Sequence, residues 1–312
     1  MHGLGNDYVH VSLFDQRVAD PPQLARSLSD RRRGVGSDGL ILVAPAPDDA
    51  AHVRMEMYNA DGSRGEMCGN GIRCVAKLAY ERGWARHNPL RVATDAGVKT
   101  LELTLDDAGR VRVVRVDMGE PTLDPREIPV SIRGERCVET PLPLEDRAFN
   151  ITCVSMGNPH AVIFTDSLAR VPLSEWGPKI ERHPLFPRRM NVHFAEVLPP
   201  SEAGGRRPAA SRDPRPRAGS STPGPAAHAP SARPDPTDRL RVATWERGSG
   251  ITQACGTGAC AVCVAGVLTG RSRRRVDAAL PGGNLTIEWD AATNHVFMTG
   301  PATEVFTGEW AD

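Results

Sequence analysis

Two apolar stretches of helical length stand out along the chain. Ile72-Arg73-Cys74-Val75-Ala76-Lys77-Leu78 and the alanine-rich Ala259-Cys260-Ala261-Val262-Cys263-Val264-Ala265 are apolar on most faces, the pattern of a helix buried in a core. Each follows the same kind of opening, Met67-Cys68-Gly69-Asn70-Gly71 in one and Ala254-Cys255-Gly256-Thr257-Gly258 in the other. Elsewhere the apolar positions form short β-type runs punctuated by turns: 39–43, 53–58, 101–105 and 111–117, then 152–156, 161–164, 191–197, 240–245, 285–289 and 295–299. The pattern predicts an α/β (α+β) fold of two pseudo-symmetric halves, each a twisted, mostly antiparallel sheet wrapped around a central helix.

A second repeat supports the duplication. Gly5-Asn6-Asp7 recurs as Gly157-Asn158-Pro159-His160, with Asn6 62 residues before Cys68 and Asn158 97 residues before Cys255. The excess of 35 nearly matches one unusual segment. Residues 199–238 hold ten of the 27 prolines together with Gly, Ser, Ala and Arg, and no Ile, Val, Leu or aromatic residue. Such a stretch cannot bury a core and reads as a disordered insertion between two strands. The expected halves are therefore residues 1–118 and 119–301, with a C-terminal strand near 302–312 returning to the first.

Composition narrows the function. The 312 residues are 40% apolar, and 38 basic residues balance 38 acidic ones, so no strong field invites nucleic acid or a membrane surface. No apolar signal core opens the chain, and the runs at 40–44 and 261–268 are too short to span a bilayer. Seven cysteines, an odd number, argue against a disulfide framework and fit a reducing, cytoplasmic setting.

The duplicated cysteines carry the chemistry. Cys68 and Cys255 each precede a predicted helix, where free N–H groups and the positive end of the helix dipole stabilise a thiolate and offer donors to a carboxylate. Two such ends facing one another would place two thiols about one anionic substrate and move protons on and off one carbon. Cys74, Cys260 and Cys263 lie inside the apolar runs, and Cys137 and Cys153 have no companion motif, so these five are read as packing residues. Gly34-Val35-Gly36-Ser37-Asp38-Gly39 spells a dinucleotide fingerprint but leads into a strand, Leu40-Ile41-Leu42-Val43, where the fingerprint needs a helix. Cys260-x-x-Cys263 is a single half-site and reads as packing rather than metal ligation.

Several blocks together resemble the diaminopimelate epimerase family: Gly3-Leu4-Gly5-Asn6-Asp7-Tyr8, Tyr58-Asn59-Ala60-Asp61-Gly62-Ser63, Met67 to Cys74, Met156-Gly157-Asn158-Pro159-His160-Ala161, Trp245-Glu246-Arg247-Gly248 and Ala254 to Ala259. The resemblance runs through the whole chain except the insertion. It implies an enzyme that needs no pyridoxal phosphate, metal or other cofactor, interconverts LL- and meso-2,6-diaminopimelate for lysine and cell-wall synthesis, carries its active site in the cleft between two α/β halves, and is usually a homodimer. By this resemblance Cys68 and Cys255 are the paired acid and base. Gly69, Asn70, Gly256 and Thr257 supply the donors to the reacting carboxylate. Glu246 meets the reacting amino group, and His160 supports the catalytic geometry. Asn6, Asn59, Asn158, Asn191 and Arg247 fix the substrate and its distal end.

Three departures from the family pattern define expectations of their own. The chain opens almost inside the first block, so the short strand that usually precedes it is expected to be missing. Gly39 stands where family members often carry a substrate-contacting glutamine, so that contact is expected to be absent or replaced. The insertion is the third. Two alternatives remain open at the level of the residues: a proline-racemase-like enzyme of the same fold, and a non-catalytic pair of thiols that form a reversible disulfide.

Overall fold

The computed structural model describes residues 1–145, 147–199 and 236–311. Most of the proline-rich insertion, 200–235, lies outside the described residues. Its expected end is corrected, because Thr237 and Asp238 already belong to a strand.

The first half is built from β1 (His2–Gly3), β2 (Asn6–Ser12), α1 (Pro21–Ser29), β3 (Gly39–Pro45), β4 (Val53–Asn59), β5 (Arg64–Gly65), α2 (Gly69–Glu81), β6 (Leu90–Thr94), β7 (Gly97–Leu105) and β8 (Val111–Asp117). The second contains β9 (Thr140–Leu144), β10 (Arg147–Ser155), β11 (Pro159–Thr165), α3 (Leu173–Glu181), β12 (Asn191–Val197), β13 (Thr237–Glu246), β14 (Gly250–Ile251), α4 (Gly256–Leu268), β15 (Ser272–Leu280), β16 (Gly283–Trp289) and β17 (Val296–Gly300).

The duplication predicted from two cysteine motifs is written into the strand pairing. β2 runs parallel to β3, which pairs antiparallel with β4; β4 pairs antiparallel with β5 and parallel with β6. β11, β12, β13, β14 and β15 repeat that sequence of directions. The β6–β7–β8 meander is matched by β15–β16–β17, and the two meanders join edge to edge through β8 and β17. Closing the meanders on one another leaves the long helices α2 and α4 enclosed by sheet.

The physical reason is in the burial. α4 is buried from Gly256 to Gly266 on nearly every face, which only a helix surrounded by apolar sheet tolerates. Each fully buried valine there, Val262 and Val264 among them, contributes about 1.5–3 kcal/mol relative to exposure. α2 and α4 share one continuous core with the inner faces of both sheets, while α1 and α3 cover smaller clusters on the outer faces. In β4 the alternation is plain: Val53, Met55 and Met57 point inward, and Arg54 and Glu56 remain half-exposed and paired with each other.

Two short helices escaped the periodicity reading. α1 carries a legible start, since Asp20 accepts from the Gln23 N–H at 3.0 Å and prolines occupy the first two helical positions. α3 lacks a side-chain cap and contains Pro178, so its sequence reads as a loop. The termini also differ from expectation. A two-residue strand, β1, is present ahead of β2 and pairs with it. Where a strand near 302–312 is expected, the described residues form an isolated bridge of Thr303 to His2 and an ion pair of Glu304 with Arg82, followed by chain without regular structure through Ala311.

Candidate active site

The two cysteine helices begin against each other. A methyl group built on Gly256 would lie 3.8 Å from the Gly69 Cα, and the Met298 thioether fills the angle between the two helix starts. Asn70 crosses the gap, donating through Nδ2 to the Ala254 carbonyl at 3.0 Å. Cys68 and Cys255 are the N-cap residues of α2 and α4, each in extended backbone, so both sulfurs stand where the first amides of a helix are unpaired.

The two sulfurs are held differently. Cys68 is half-buried, accepts the Gly71 N–H at 3.3 Å and donates to Asn6 Oδ1 at 3.3 Å. Cys255 is 6% exposed, makes no cap hydrogen bond, and lies 3.6 Å from Thr257 Oγ1. Burial pushes the Cys68 thiol above its ordinary value, opposed by the Gly71 and Asn70 amides. Burial and then the Glu246 carboxylate push the Cys255 thiol well above its own, and Cys68 adds to that push. Glu246 thus faces both sulfurs. Burial raises its carboxyl, against a hydrogen bond from Thr252 Oγ1 at 2.5 Å.

Each sequence-predicted residue has a definite place. Asn6 Oδ1 receives both the Cys68 thiol and, at 3.3 Å, Asn70 Nδ2, while its own Nδ2 donates to Asp38. Asn158 Oδ1 receives His160 Nε2 at 2.9 Å, and His160 Nδ1 meets His193 Nε2 at 2.8 Å. Burial, then His193 and Arg247, hold the His160 imidazole well below its ordinary range, so it is neutral. Asn191 is tied to backbone at both ends, donating to the Pro159 carbonyl at 2.8 Å and accepting the Arg247 N–H at 2.9 Å. Arg247 itself is exposed and donates to the Arg188 carbonyl. Asn59 ends β4 and donates to Ser63 Oγ, so its amide closes a turn rather than meeting a sulfur.

At Gly39 the reason no side chain contacts the site is steric. A Cβ there would fall 2.1 Å from the Tyr58 carbonyl oxygen and 2.9 Å from Tyr8 Cε1. The backbone is instead drawn in under Tyr8.

Four residues escaped the sequence reading. Tyr8 is 7% exposed, and its hydroxyl is held un-ionised by burial and by the adjacent Cys68 and Asp38. Arg73, fully buried, donates to the carbonyls of Gly69 and Pro301 and to Asn70 Oδ1, bracing the α2 start from below. Glu181, 2% exposed on α3, accepts Trp245 Nε1 at 2.7 Å and the Gly248 N–H at 3.3 Å, gripping both sides of Glu246-Arg247. His193 backs His160. Tyr8 and Arg73 sit inside the quoted motifs and were within reach; Glu181 and His193 have no sequence signal.

The geometry has counterparts among known proteins. A family model described as diaminopimelate epimerase matches residues 1–123 and 229–305. The diaminopimelate epimerase of Acetivibrio thermocellus is 46% identical, with 99% of this chain and 96% of the relative covered. The chain belongs to the diaminopimelate epimerase family. Like the other members it is an isomerase, and that of Pelotomaculum thermopropionicum is 47% identical over 99% of this chain and 96% of its own. Solved structures share the fold at greater distance. A hydroxyproline epimerase from Agrobacterium vitis superposes with a TM-score of 0.61 at 16% identity, covering 96% of this chain and 87% of that one. A phenazine biosynthesis protein from Bacillus anthracis gives 0.61 at 13%, covering 96% and 92%. No helix among the described residues is long and apolar enough to cross a membrane.

Proposed function

We propose that the enzyme epimerises LL-2,6-diaminopimelate to the meso form by exchanging one α-proton between two sulfurs, with no cofactor, on the way to lysine and cell-wall precursors. The observation that carries this reading is the abutment of the Gly69 and Gly256 helix starts, each capped by a cysteine. A carboxylate bound there meets N–H groups of two helices, and charge that develops on it as the carbon acid ionises meets the same donors.

The thiols divide the work by environment. Burial raises the Cys68 thiol, but the Gly71 and Asn70 amides and the nearby Arg73 charge oppose that rise, so Cys68 ionises more readily than Cys255 and serves as base. Cys255, facing the Glu246 carboxylate, keeps its proton and delivers it to the opposite face of the carbon. In the reverse reaction the roles exchange, and the pair titrates as a unit. Gly69, Asn70, Gly256 and Thr257 hold the reacting carboxylate, and Glu246 receives the reacting amino group. Asn6, Asn59, Asn158, Asn191 and Arg247 surround the rest of the substrate, with the Arg247 fork suited to the distal carboxylate. His160 positions Asn158.

The same reading takes residues 1–118 and 119–301 as the two halves that flank the cleft, the protein as a homodimer, and its setting as the cytoplasm. Solvent exchange tests the function. Incubated in deuterium oxide with reductant and no added cofactor, the enzyme should wash deuterium into the α-position of LL-diaminopimelate and leave proline untouched. Exchange into proline alone would mark a racemase; exchange into neither would leave a redox-active thiol pair.

A further inference from the structure

His160, His193 and Cys255 converge. All three are buried, at 0%, 0% and 6% exposure, and one donor atom from each lies within 4.8 Å of the others. Among the described residues no other group of three His, Cys or acidic side chains converges in this way. Two imidazoles and a thiol are a donor set matched to a borderline-soft divalent cation.

The surrounding hydrogen bonds already suit such an ion. Metal-bound histidines hold their outer nitrogen in a second hydrogen bond, which fixes the ring and its tautomer. Here His160 Nε2 is bonded to Asn158 Oδ1 at 2.9 Å, and His193 Nδ1 to Thr244 Oγ1 at 2.9 Å. The two inner nitrogens are left facing each other at 2.8 Å. The His193 ring also lies directly beneath the start of α4, because Gly258 has no Cβ; one built there would fall 2.2 Å from His193 Cε1.

We propose that His160, His193 and Cys255 form a binding site for a zinc-like divalent cation, and that occupancy withdraws the Cys255 thiol from catalysis. Without an ion, His160 carries its proton on Nε2 toward Asn158, and its Nδ1 accepts the Nε2–H of His193. On binding, the His193 proton shifts to Nδ1, where the Thr244 hydroxyl turns from donor to acceptor. Both inner nitrogens then offer lone pairs. The Cys255 proton leaves to solvent, so one proton is released per ion bound. Tetrahedral bonds of about 2.0–2.1 Å require the two nitrogens to part to about 3.3 Å, a shift of roughly 0.5 Å by ring rotation. The fourth position remains for water. The ion reaches the site by the route that brings substrate to Cys255.

Cobalt(II) is the probe, because a cobalt–thiolate bond absorbs light whether or not the enzyme turns over. The full chain, reduced with a phosphine, should bind one equivalent with a sulfur-to-metal charge-transfer band and strong visible absorption of tetrahedral cobalt, both erased by added zinc. Cys255→Ser should abolish the charge-transfer band, and Cys68→Ser should keep it. His193→Gln should weaken binding at least tenfold. Thr244→Val, which removes only the outer partner, should weaken it about 10- to 100-fold and serves if His193→Gln fails to fold. Zinc should inhibit epimerisation, with recovery on adding a chelator. A band that survives in Cys255→Ser, or affinity unchanged in both His193→Gln and Thr244→Val, would overturn the site. Spectroscopic binding without inhibition would overturn its control of the thiol while leaving the epimerase reading intact.

Discussion

Asn70 and Ala254, 184 residues apart, are joined by a 3.0 Å hydrogen bond from the Asn70 side chain to the Ala254 carbonyl. The bond runs from the first turn of one cysteine helix to the residue just before the other cysteine. It fixes the spacing of the two helix starts, and therefore of the two sulfurs. An active site shared between two copies of one motif needs such a cross-tie, because neither half alone specifies the distance to the other.

Removing either sulfur should stop the reaction and spare the fold. Positioned acid–base groups contribute about 10²- to 10⁴-fold each. Cys68→Ala and Cys255→Ala are expected to lose at least that much epimerisation, measured as interconversion of LL- and meso-diaminopimelate, with melting temperatures near the parent value. Turnover above a hundredth of the parent rate in either variant would remove the two-sulfur mechanism.

The raised thiols set opposite trends for rate and stability in alkali. Because kcat/KM reports the free enzyme, it should climb from neutral pH as the resting thiolate forms. Stability follows the reverse sign. The unfolded cysteines titrate near 9.0 and the folded ones higher, so their contribution is complete below pH 9 and is lost as pH rises through the folded values. A thermal melt series from pH 8 to 10.5 should show the decline, and Cys255→Ala should flatten it.

In acid the buried histidines act with the other sign. Burial depresses His193 and His10 to about 3, so both stay neutral in the fold but become protonated in the unfolded chain near 6.5. Their contribution is present above pH 6.5 and is lost progressively toward pH 3. His193→Gln should retain more of its own pH 7 stability at pH 4.5 than the parent does, read by chemical denaturation at both values.

Glu181 offers a test of positioning at a distance from the chemistry. Its carboxylate grips Trp245 and Gly248 on either side of Glu246-Arg247. Glu181→Gln keeps one acceptor and should raise KM a few-fold; Glu181→Ala should raise it tenfold or more and also lower kcat, since Glu246 loses its register. Equal kinetics for the two variants would show that the grip is not needed.

Arg73 is the structural counterpart. Arg73→Met would take the side-chain donor from the Pro301 carbonyl and the Asn70 amide oxygen, each at about 1–3 kcal/mol if left buried and unpaired, while the Gly69 carbonyl keeps its helical partner. The melting temperature should fall by about 3–9 °C, with loss of activity alongside.

Much of this molecule was legible in the order of its residues. The paired cysteine motifs, the two apolar helices, and the strand runs at 53–58 and 111–117 follow from periodicity and from the duplication, because a buried helix must be apolar on most faces and a strand with one buried face must alternate. Local chemistry also marked the helix starts, since only a residue at an N-cap sees unpaired amides. What the sequence could not reveal were relationships fixed by tertiary contact. Glu181 and His193 look like ordinary residues of a helix and a strand. Their roles arise because the fold sets one against Trp245 and the other against His160. The charge state of each thiol was likewise undecided until burial and the neighbouring Glu246 carboxylate were in place, because an ionisation energy depends on the solvent and charges around a group rather than on its place in the chain.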